Sequence, residues 1–424
     1  MKVTFCTYDA PTFTGGPNSW LRRLLPTLRT LGIESEVLFF INSPLPADCP
    51  CLSALRKQGF TCHSFPFQST TPQQVRWILS KLKQNPPDIF VPNLIVGALY
   101  ASRWVKEAGI PTVGVLHSDD DFYTGVTQEF IFGEEVYQLS AVVCVSDFLT
   151  QTVLNSGRTT SVVIKIPCGV PVPSVIAQKP TNSLRLIYLG RLVEEQKQIS
   201  KLTSALCRAL RSVPNTEALI FGEGPAKANV QALLSSEGKG LPICLGDFVD
   251  NSKIQDVLAK AHVLVLLSDY EGLPVALMEA MACGVVPVCL NIRSGITELV
   301  EHDVTGLLVN NREEEFIAAI RHIATEAGCW ERLSQAARAK VVSSYANDSC
   351  ASDWADLFFT LQQKASTKQS LVCPKALTLP ASNPLLASFD RRDSSWWTDI
   401  TQRLRRQVNA FRKISLRLIT NNFI

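Results

Sequence analysis

No apolar run in this 424-residue chain approaches the ~18 residues of a membrane-crossing helix, which argues against a span. The thirteen cysteines include no C-x-x-C pair. The closest two, Cys49 and Cys51, flank Pro50 and have no second pair or His cluster at zinc spacing. A zinc module is thereby excluded. An odd number of scattered cysteines fits free thiols in a reducing compartment, most of them filling the core. The opening "MKVTFCTYD" lacks the basic region and cleavage site of a secretory leader and runs straight into a strand pattern. A cytoplasmic location is expected. Excess charge is also scarce, at a formal +3, but it is unevenly spread. Residues 366–424 hold ten Lys/Arg against three Asp/Glu, a net +7, so the other 365 residues carry −4. The body therefore has no nucleic-acid footprint, and no nucleic-acid partner is expected.

What is present is a large apolar fraction, 46%, against 19% charged residues, enough for a sizeable core. Short β-branched runs alternate with helical patterns throughout. "VTFCTY", "EVLFFI", "DIFVPN", "PTVGVLH", "AVVCVS" and "VVIKIP" read as strands in the first half. "LRLIYLG", "EALIFG", "PICLG", "HVLVLLS", "VVPVCL" and "TGLLV" do so in the second. Helical segments such as "TPQQVRWILSKLKQ" lie between them. Continuous apolar strands alternating with helices predict parallel sheets covered on both faces. The Pro- and Ser-rich stretch Cys168–Ser183 reads as a connection between the halves. The expectation is an α/β protein of two doubly wound, Rossmann-like domains facing a cleft, with ligands at the carboxyl ends of the strands.

Three stretches of the second half carry chemistry. "IYLGRLVEEQKQ" places Gly190, Arg191 and Lys197 just after a strand, which suits an anion, or else forms a surface ion cluster with Glu194 and Glu195. "ALIFGEGP" supplies Gly222, Glu223 and Gly224, a partial G-x-G that a tight turn explains as well. "LSDYEGLPVALMEAMACGVVPVC" buries two carboxylates, Glu271 and Glu279, with seven residues between them. A buried carboxylate costs several kcal/mol unless it is paired. Pro274 suits the first position of a helix that Gly284 ends. The N–H groups around Gly272, Leu273 and Val275 would then suit a phosphate. The two glutamates would accept from ribose and sugar hydroxyls. Alternatively, they serve as a helix-dipole partner and a core ion pair.

Together these stretches resemble the retaining glycosyltransferases of the GT-B fold, family four (glycosyl transferases group 1). The likeness covers roughly residues 1–364, with the motifs in order. They are Gly15–Gly16 in "TFTGGPNSW", His117 in "VLHSDDDFY", "VCVSDF", "GRLVEEQK", "GEGP", "GDFVD", the Glu–seven residues–Glu signature and "SGITELVEHDVTGLLV". The resemblance implies an acceptor-side domain over 1–172, a donor-binding domain over 173–346 and a crossover helix over 347–365. Residues 366–424 are left as a linker and basic amphipathic tail. It also implies that Arg191 and Lys197 bind the diphosphate of a nucleotide sugar, that Glu271 holds hydroxyls of the transferred sugar, and that Glu279 holds the ribose. Gly15, Gly16, Gly190, Gly222, Glu223, Gly272, Leu273 and Val275 would complete the donor pocket, and His117 would hydrogen-bond the sugar or its phosphate. No cofactor is implied; the nucleotide-diphosphate sugar is a co-substrate. The acceptor is a hydroxyl on a glycan or lipid-linked molecule. A sugar-nucleotide epimerase on the same fold, or a silent sugar-nucleotide-binding subunit, are the alternatives.

Two stretches need separate weighing. Asp119–Asp121 matches the D-x-D of a metal-dependent transferase fold, but that fold lacks the paired-Glu signature. These aspartates are expected to face the cleft as acceptors, not to hold a metal. In the tail, apolar residues at Ile400, Leu404, Val408, Phe411 and Leu418 fall at helical spacing. Six basic residues between Arg403 and Arg417 accompany them, after Trp396 and Trp397. This pattern fits an interfacial helix on an anionic membrane surface. A helix docked on the body and plain disorder are the other readings.

Overall fold

A computed structural model describes residues 1–11, 15–247, 249 and 253–392. In the first half, β1 (Lys2–Asp9), β2 (Glu34–Ile41), β3 (Thr61–Pro66) and β4 (Ile89–Pro92) form a sheet in the order β3-β2-β1-β4. β5 (Val113–Leu116), β6 (Ala141–Cys144) and β7 (Val162–Lys165) continue beyond it in that order. The junction is a parallel bridge between Phe90 and Thr112. In the second half, β8 (Leu184–Leu189), β9 (Thr216–Phe221), β10 (Ile243–Gly246), β11 (Val263–Leu266), β12 (Val286–Leu290) and β13 (Leu307–Val309) run β10-β9-β8-β11-β12-β13. Every strand pairing is parallel. The chain is therefore α/β, with a doubly wound sheet in each half, as the strand–helix alternation predicts.

Strand order reverses between β1 and β4 in one sheet and between β8 and β11 in the other. Crevices open at such reversals, beyond the carboxyl ends of the strands. The loops after β1, β5, β8, β9 and β11 all face this space. Of the described strands, β3 is the one the apolar pattern does not announce. It is an edge strand, partly exposed along its length, and "TCHSFP" offers no continuous apolar run.

The halves are tied at a second place. Val170 N–H donates to Tyr345 O at 3.0 Å, and Asn347 N–H to Val170 O at 2.9 Å. The helix Asn347–Lys364 then lies on the first half, with Trp354 fully buried beside Trp20 and Phe358. Beyond it the structure departs from the sequence reading. The stretch from 366 to 392, which opens the expected linker and basic tail, is laid along the first half. Gln369 N–H donates to Ala108 O at 3.0 Å, and Leu371 and Leu386 are buried. The amphipathic stretch Trp396–Leu418 lies outside the described residues. Among the described residues no helix is long and apolar enough to cross a membrane.

Candidate functional site

A cavity of about 870 Å³ lies between the halves, and every residue assigned above to the donor site lines it; of the expected cleft-facing run Asp119–Asp121, only Asp120 does. Arg191, Lys197, Glu271 and His117 are there. So are Gly15, Gly16, Gly190, Gly222, Glu223, Gly272, Leu273, Val275 and Glu279.

The second-half wall is built from the ends of β8, β9 and β11. The glycines are spacers. A Cβ on Gly222 would stand 1.8 Å from Gly190 O, and one on Gly224 would stand 2.3 Å from Leu192 O. Two loops can then approach closely enough for Leu192 N–H to bond Glu223 O at 2.8 Å. The Glu223 side chain turns away to pair with Lys227 at 2.7 Å. Above this seam the polar side chains form one network. Arg191 Nη2 donates to Gln196 Oε1 at 2.7 Å. Gln196 Nε2 donates to Glu271 Oε2 at 3.3 Å and to Tyr270 O at 3.1 Å. Lys197 Nζ donates to Glu271 Oε1. Lys197 and Glu271 are only 12% and 6% exposed, so this is a buried pair and not the surface cluster with Glu194 and Glu195. Glu194 instead accepts from Ser200. Gln196 was not singled out in the sequence, although it immediately precedes Lys197.

The helix Val275–Ala282 starts one residue later than the proline pattern predicts, because Pro274 keeps extended backbone and caps it. Its far end follows the expected rule: Gly284 has φ +75°, and Val285 N–H returns to Ala280 O at 2.9 Å. Among the described residues none accepts from the N–H groups of Gly272, Leu273 or Val275. They are donors at a helix N-terminus facing the cavity, the arrangement that suits an anion. Glycine at 272 is enforced by the opposite wall, since a Cβ there would stand 2.1 Å from His117 O.

Glu279 is buried and pairs across the cleft with Arg23 Nη2, from the helix Gly16–Thr30 of the first half. Burial raises the Glu279 carboxyl above its ordinary value, and the Arg23 charge and hydrogen bond oppose that rise. This is the core ion pair considered above as an alternative. Arg23 carries no signal in the sequence: it is one of three arginines on an amphipathic helix. Glu298, also unforeseen, reaches across as well. Its carboxylate accepts from Asp147 N–H and Phe148 N–H, both at 2.9 Å, at the start of the helix Asp147–Ser156.

His117 directly follows β5 and packs, partly buried, against Trp20 and Tyr123. Its Nδ1 lies 3.7 Å from Cys168 Sγ, and its Nε2 has no partner. Burial pulls its pKa down to about 3, so the ring is neutral at ordinary pH. Asp120 is the N-cap of the helix Asp121–Phe130, accepting from Tyr123 N–H at 3.1 Å. Among the described residues no three His, Cys, Asp or Glu side chains converge as a metal site would require.

The first-half wall is aromatic. Tyr8 and Phe67 meet edge to face at 4.7 Å, and Phe122 and Phe389 at 4.9 Å. Ser388, Phe389 and Arg391 of the docked C-terminal segment line the same cavity as Lys197.

Comparison with known proteins agrees with this architecture. The model for glycosyltransferase family 4 matches residues 14–172, and that for glycosyl transferases group 1 matches 174–340. One relative is the GDP-mannose-dependent alpha-(1-6)-phosphatidylinositol dimannoside mannosyltransferase of Mycobacterium tuberculosis. It is 26% identical over 65% of this chain and 74% of its own length. Another is the lipopolysaccharide 1,6-galactosyltransferase of Escherichia coli, 25% identical over 73% of this chain and 84% of its own. Among solved structures, Anabaena HepE in complex with UDP superposes with a TM-score of 0.69 at 18% identity. That match covers 85% of this chain and all of HepE. Sucrose-phosphate synthase from Thermosynechococcus elongatus gives 0.69 at 16% identity, over 86% of this chain and all of its own. Two matched models in sequence order, on two doubly wound sheets that share a cleft, leave one assignment: the chain belongs to the group 1, family 4 glycosyltransferases of the GT-B fold, and it is a glycosyltransferase.

Proposed function

We propose that this enzyme moves a hexosyl group from a nucleotide-diphosphate sugar to a hydroxyl of a cell-surface glycan or glycolipid, with retention at the anomeric carbon. One observation carries the reading. The Arg191–Gln196–Glu271–Lys197 network, the open helix N-terminus at Gly272–Val275 and Glu279 all line one cavity. Cations and N–H donors suit a diphosphate, and carboxylates suit hydroxyls. Arg191 and Lys197 hold the diphosphate, and Lys197 exchanges Glu271 for phosphate oxygen when the donor enters. Glu271 is then free to accept from hydroxyls of the reacting sugar. Glu279 accepts from the ribose, exchanging Arg23 for it. The neutral His117 offers Nε2 to the sugar or its phosphate. The bond from the anomeric carbon to the phosphate oxygen breaks, the acceptor oxygen bonds on the same face, and its proton passes to the leaving diphosphate. Charge grows on that leaving group, where fixed cations stabilise it most.

The activities of the mycobacterial and Escherichia coli relatives support a mannosyl or galactosyl group and a lipid-linked or lipopolysaccharide acceptor. HepE, solved in complex with UDP, supports a nucleotide ligand. The test is incubation with UDP-, GDP- and ADP-hexoses, following nucleotide diphosphate release and the product anomer by NMR. Release with a retained anomer is expected. An epimerase would change the sugar and need no acceptor, and a silent subunit would bind and turn nothing over. Consumption of no nucleotide sugar overturns the reading. A membrane-surface partner for Trp396–Leu418 belongs to the same proposal. It predicts tail-dependent co-sedimentation with anionic vesicles that weakens with salt. Equal sedimentation by a chain ending at Ala365 would refute it.

A further inference from the structure

The stretch after the crossover helix is not used by the donor chemistry, yet it is fixed to the rim of the cleft. Leu386 is fully exposed to no solvent and sits over Gly125, where a Cβ would stand 2.8 Å from its side chain. Four residues on, Asp390 is 4% exposed, accepts from Thr71 Oγ1 at 2.8 Å, and pairs with Arg392 at 2.6 Å. The backbone of Arg391 is held from both sides: its N–H donates to Thr71 Oγ1 at 2.9 Å, and its carbonyl accepts from Thr71 N–H at 2.7 Å. These anchors bracket Phe389, which remains 38% exposed and meets Phe122 edge-on at 67°. Phe389 is thus fixed on the cavity wall with more than a third of its surface open.

We infer that the C-terminal segment forms part of the acceptor subsite, with Phe389 as a specificity-determining residue against which a pyranose ring of the acceptor stacks. This rests on the glycosyl-transfer reading above. The ring is the occupant because the wall has both of its chemistries. Aromatic faces at Phe122 and Phe389 match the apolar C–H face of a sugar. The amides of Asn42 and Gln68 line the same cavity, joined by a 3.1 Å hydrogen bond from Gln68 Nε2 to Asn42 Oδ1, and a hydroxyl at the rim can exchange into that polar pair. The cavity is continuous from Lys197 to Phe389, so a ring seated there shares one space with the transferred sugar. The segment also lies beyond the matched family core. The family models end at residue 340, and HepE, matched over its full length, leaves about 15% of this chain without a counterpart. An acceptor wall added after the common core can set acceptor choice without disturbing the donor half.

The experiment uses the full-length protein, UDP- and GDP-hexose donors, and methyl α- and β-glycosides of glucose, galactose and mannose as probes. In Phe389→Ala the ratio of transfer to donor hydrolysis falls about tenfold, through a raised acceptor KM, because a stacked ring loses its partner. F389W keeps the ratio within a factor of two or so of wild type, and its emission shifts on addition of the transferred glycoside. Val372→Ala, an exposed position elsewhere on the segment, leaves the ratio unchanged. Equal ratios in Phe389→Ala and wild type would overturn the inference. So would a tryptophan emission that no glycoside in the panel moves. Failure of the wild type to consume any donor would count against the glycosyl-transfer reading instead, and the F389W titration would still decide whether a sugar sits here.

Discussion

The two walls of the cleft differ in kind. On the second-half wall, Arg191, Gln196, Lys197 and Glu271 come from two loops and make a single charged network. On the first-half wall, Tyr8, Phe67, Phe122 and Phe389 come from four separate segments and meet by ring edges. A charged network can exchange one partner for another as charge moves, which is what bond breaking at a phosphate demands. Ring contacts have no charge to exchange and hold a shape. The charged second-half wall is therefore suited to catalysis and the aromatic first-half wall to recognition. The partition can be broken experimentally.

The largest effect belongs to the charged wall. Arg191→Ala and Lys197→Ala should each lower kcat by roughly 10²- to 10³-fold at saturating donor, because each removes a fixed cation from the leaving group. Lys197→Ala also strands Glu271 in a buried place. Thermal melting of both variants separates that cost from the catalytic one. Near-normal turnover in both would remove the charged wall from catalysis.

A smaller effect tests the pair that joins the walls. Glu279→Gln should weaken nucleotide diphosphate binding by about tenfold with little further change in kcat, since ribose contacts are shared by ground and transition states. Arg23→Ala should act oppositely. It leaves Glu279 available to ribose but uncompensated in the protein, costing about 3 kcal/mol of stability. Calorimetry and denaturant titration on the two variants check both directions. If Glu279→Gln binds UDP and GDP as tightly as wild type, Glu279 is a structural ion-pair partner and nothing more.

These two walls were also unequally legible. The charged wall is nearly all local. Glu271, Gly272, Val275 and Glu279 lie within nine residues of chain: the first two precede a helix on which the last two stand one turn apart. Gln196 was in view but unread, because an amide has no charge to advertise a role. The aromatic wall is assembled over 380 residues, and no period in the sequence connects Tyr8 with Phe389. Arg23 and Glu298 act across the interface between the halves, and only the mutual placement of the two sheets reveals them. The strand β3 escaped because an edge needs no continuous apolar run. The stretch 366–392 reads by composition as the opening of a linker and tail, yet widely spaced anchors such as Leu371, Leu386 and Asp390 fix it.

Between the walls, His117 should report on burial through pH. Its folded pKa of about 3 lies below the ordinary ~6.5, so between these values the unfolded chain binds the proton that the folded chain refuses. The histidine's contribution is therefore intact above ~6.5 and is lost as pH falls, by up to about 1.4 kcal/mol per unit. His117→Gln keeps a neutral polar group and removes the titration. Denaturant midpoints at pH 7 and pH 5 should show a fall in stability smaller in the variant than in wild type by about 1–2 kcal/mol. Equal falls would mean that the ring is hydrated in solution.

The smallest expected effect is none at all, and it bears on how the charged wall does its work. If Arg191 and Lys197 neutralise the leaving diphosphate, a divalent ion is redundant there, and chelation should leave the rate within about twofold of its starting value. The one acidic run in the first half is built for another purpose. Asp120 spends its carboxylate on the N–H of Tyr123 as a helix cap, and Arg293 lies close enough to Asp119 to act on its charge. Pulling Asp120 onto a metal would uncap the helix Asp121–Phe130, which carries Phe122 of the aromatic wall. Metal binding would thus loosen the recognition wall in order to assist the catalytic one. The measurement is turnover after exhaustive dialysis against EDTA, with Mg²⁺ or Mn²⁺ added back. An unchanged rate keeps the division of labour between the walls. A lost rate restored by either ion would move part of the catalytic charge to the Asp119–Asp121 side and end it.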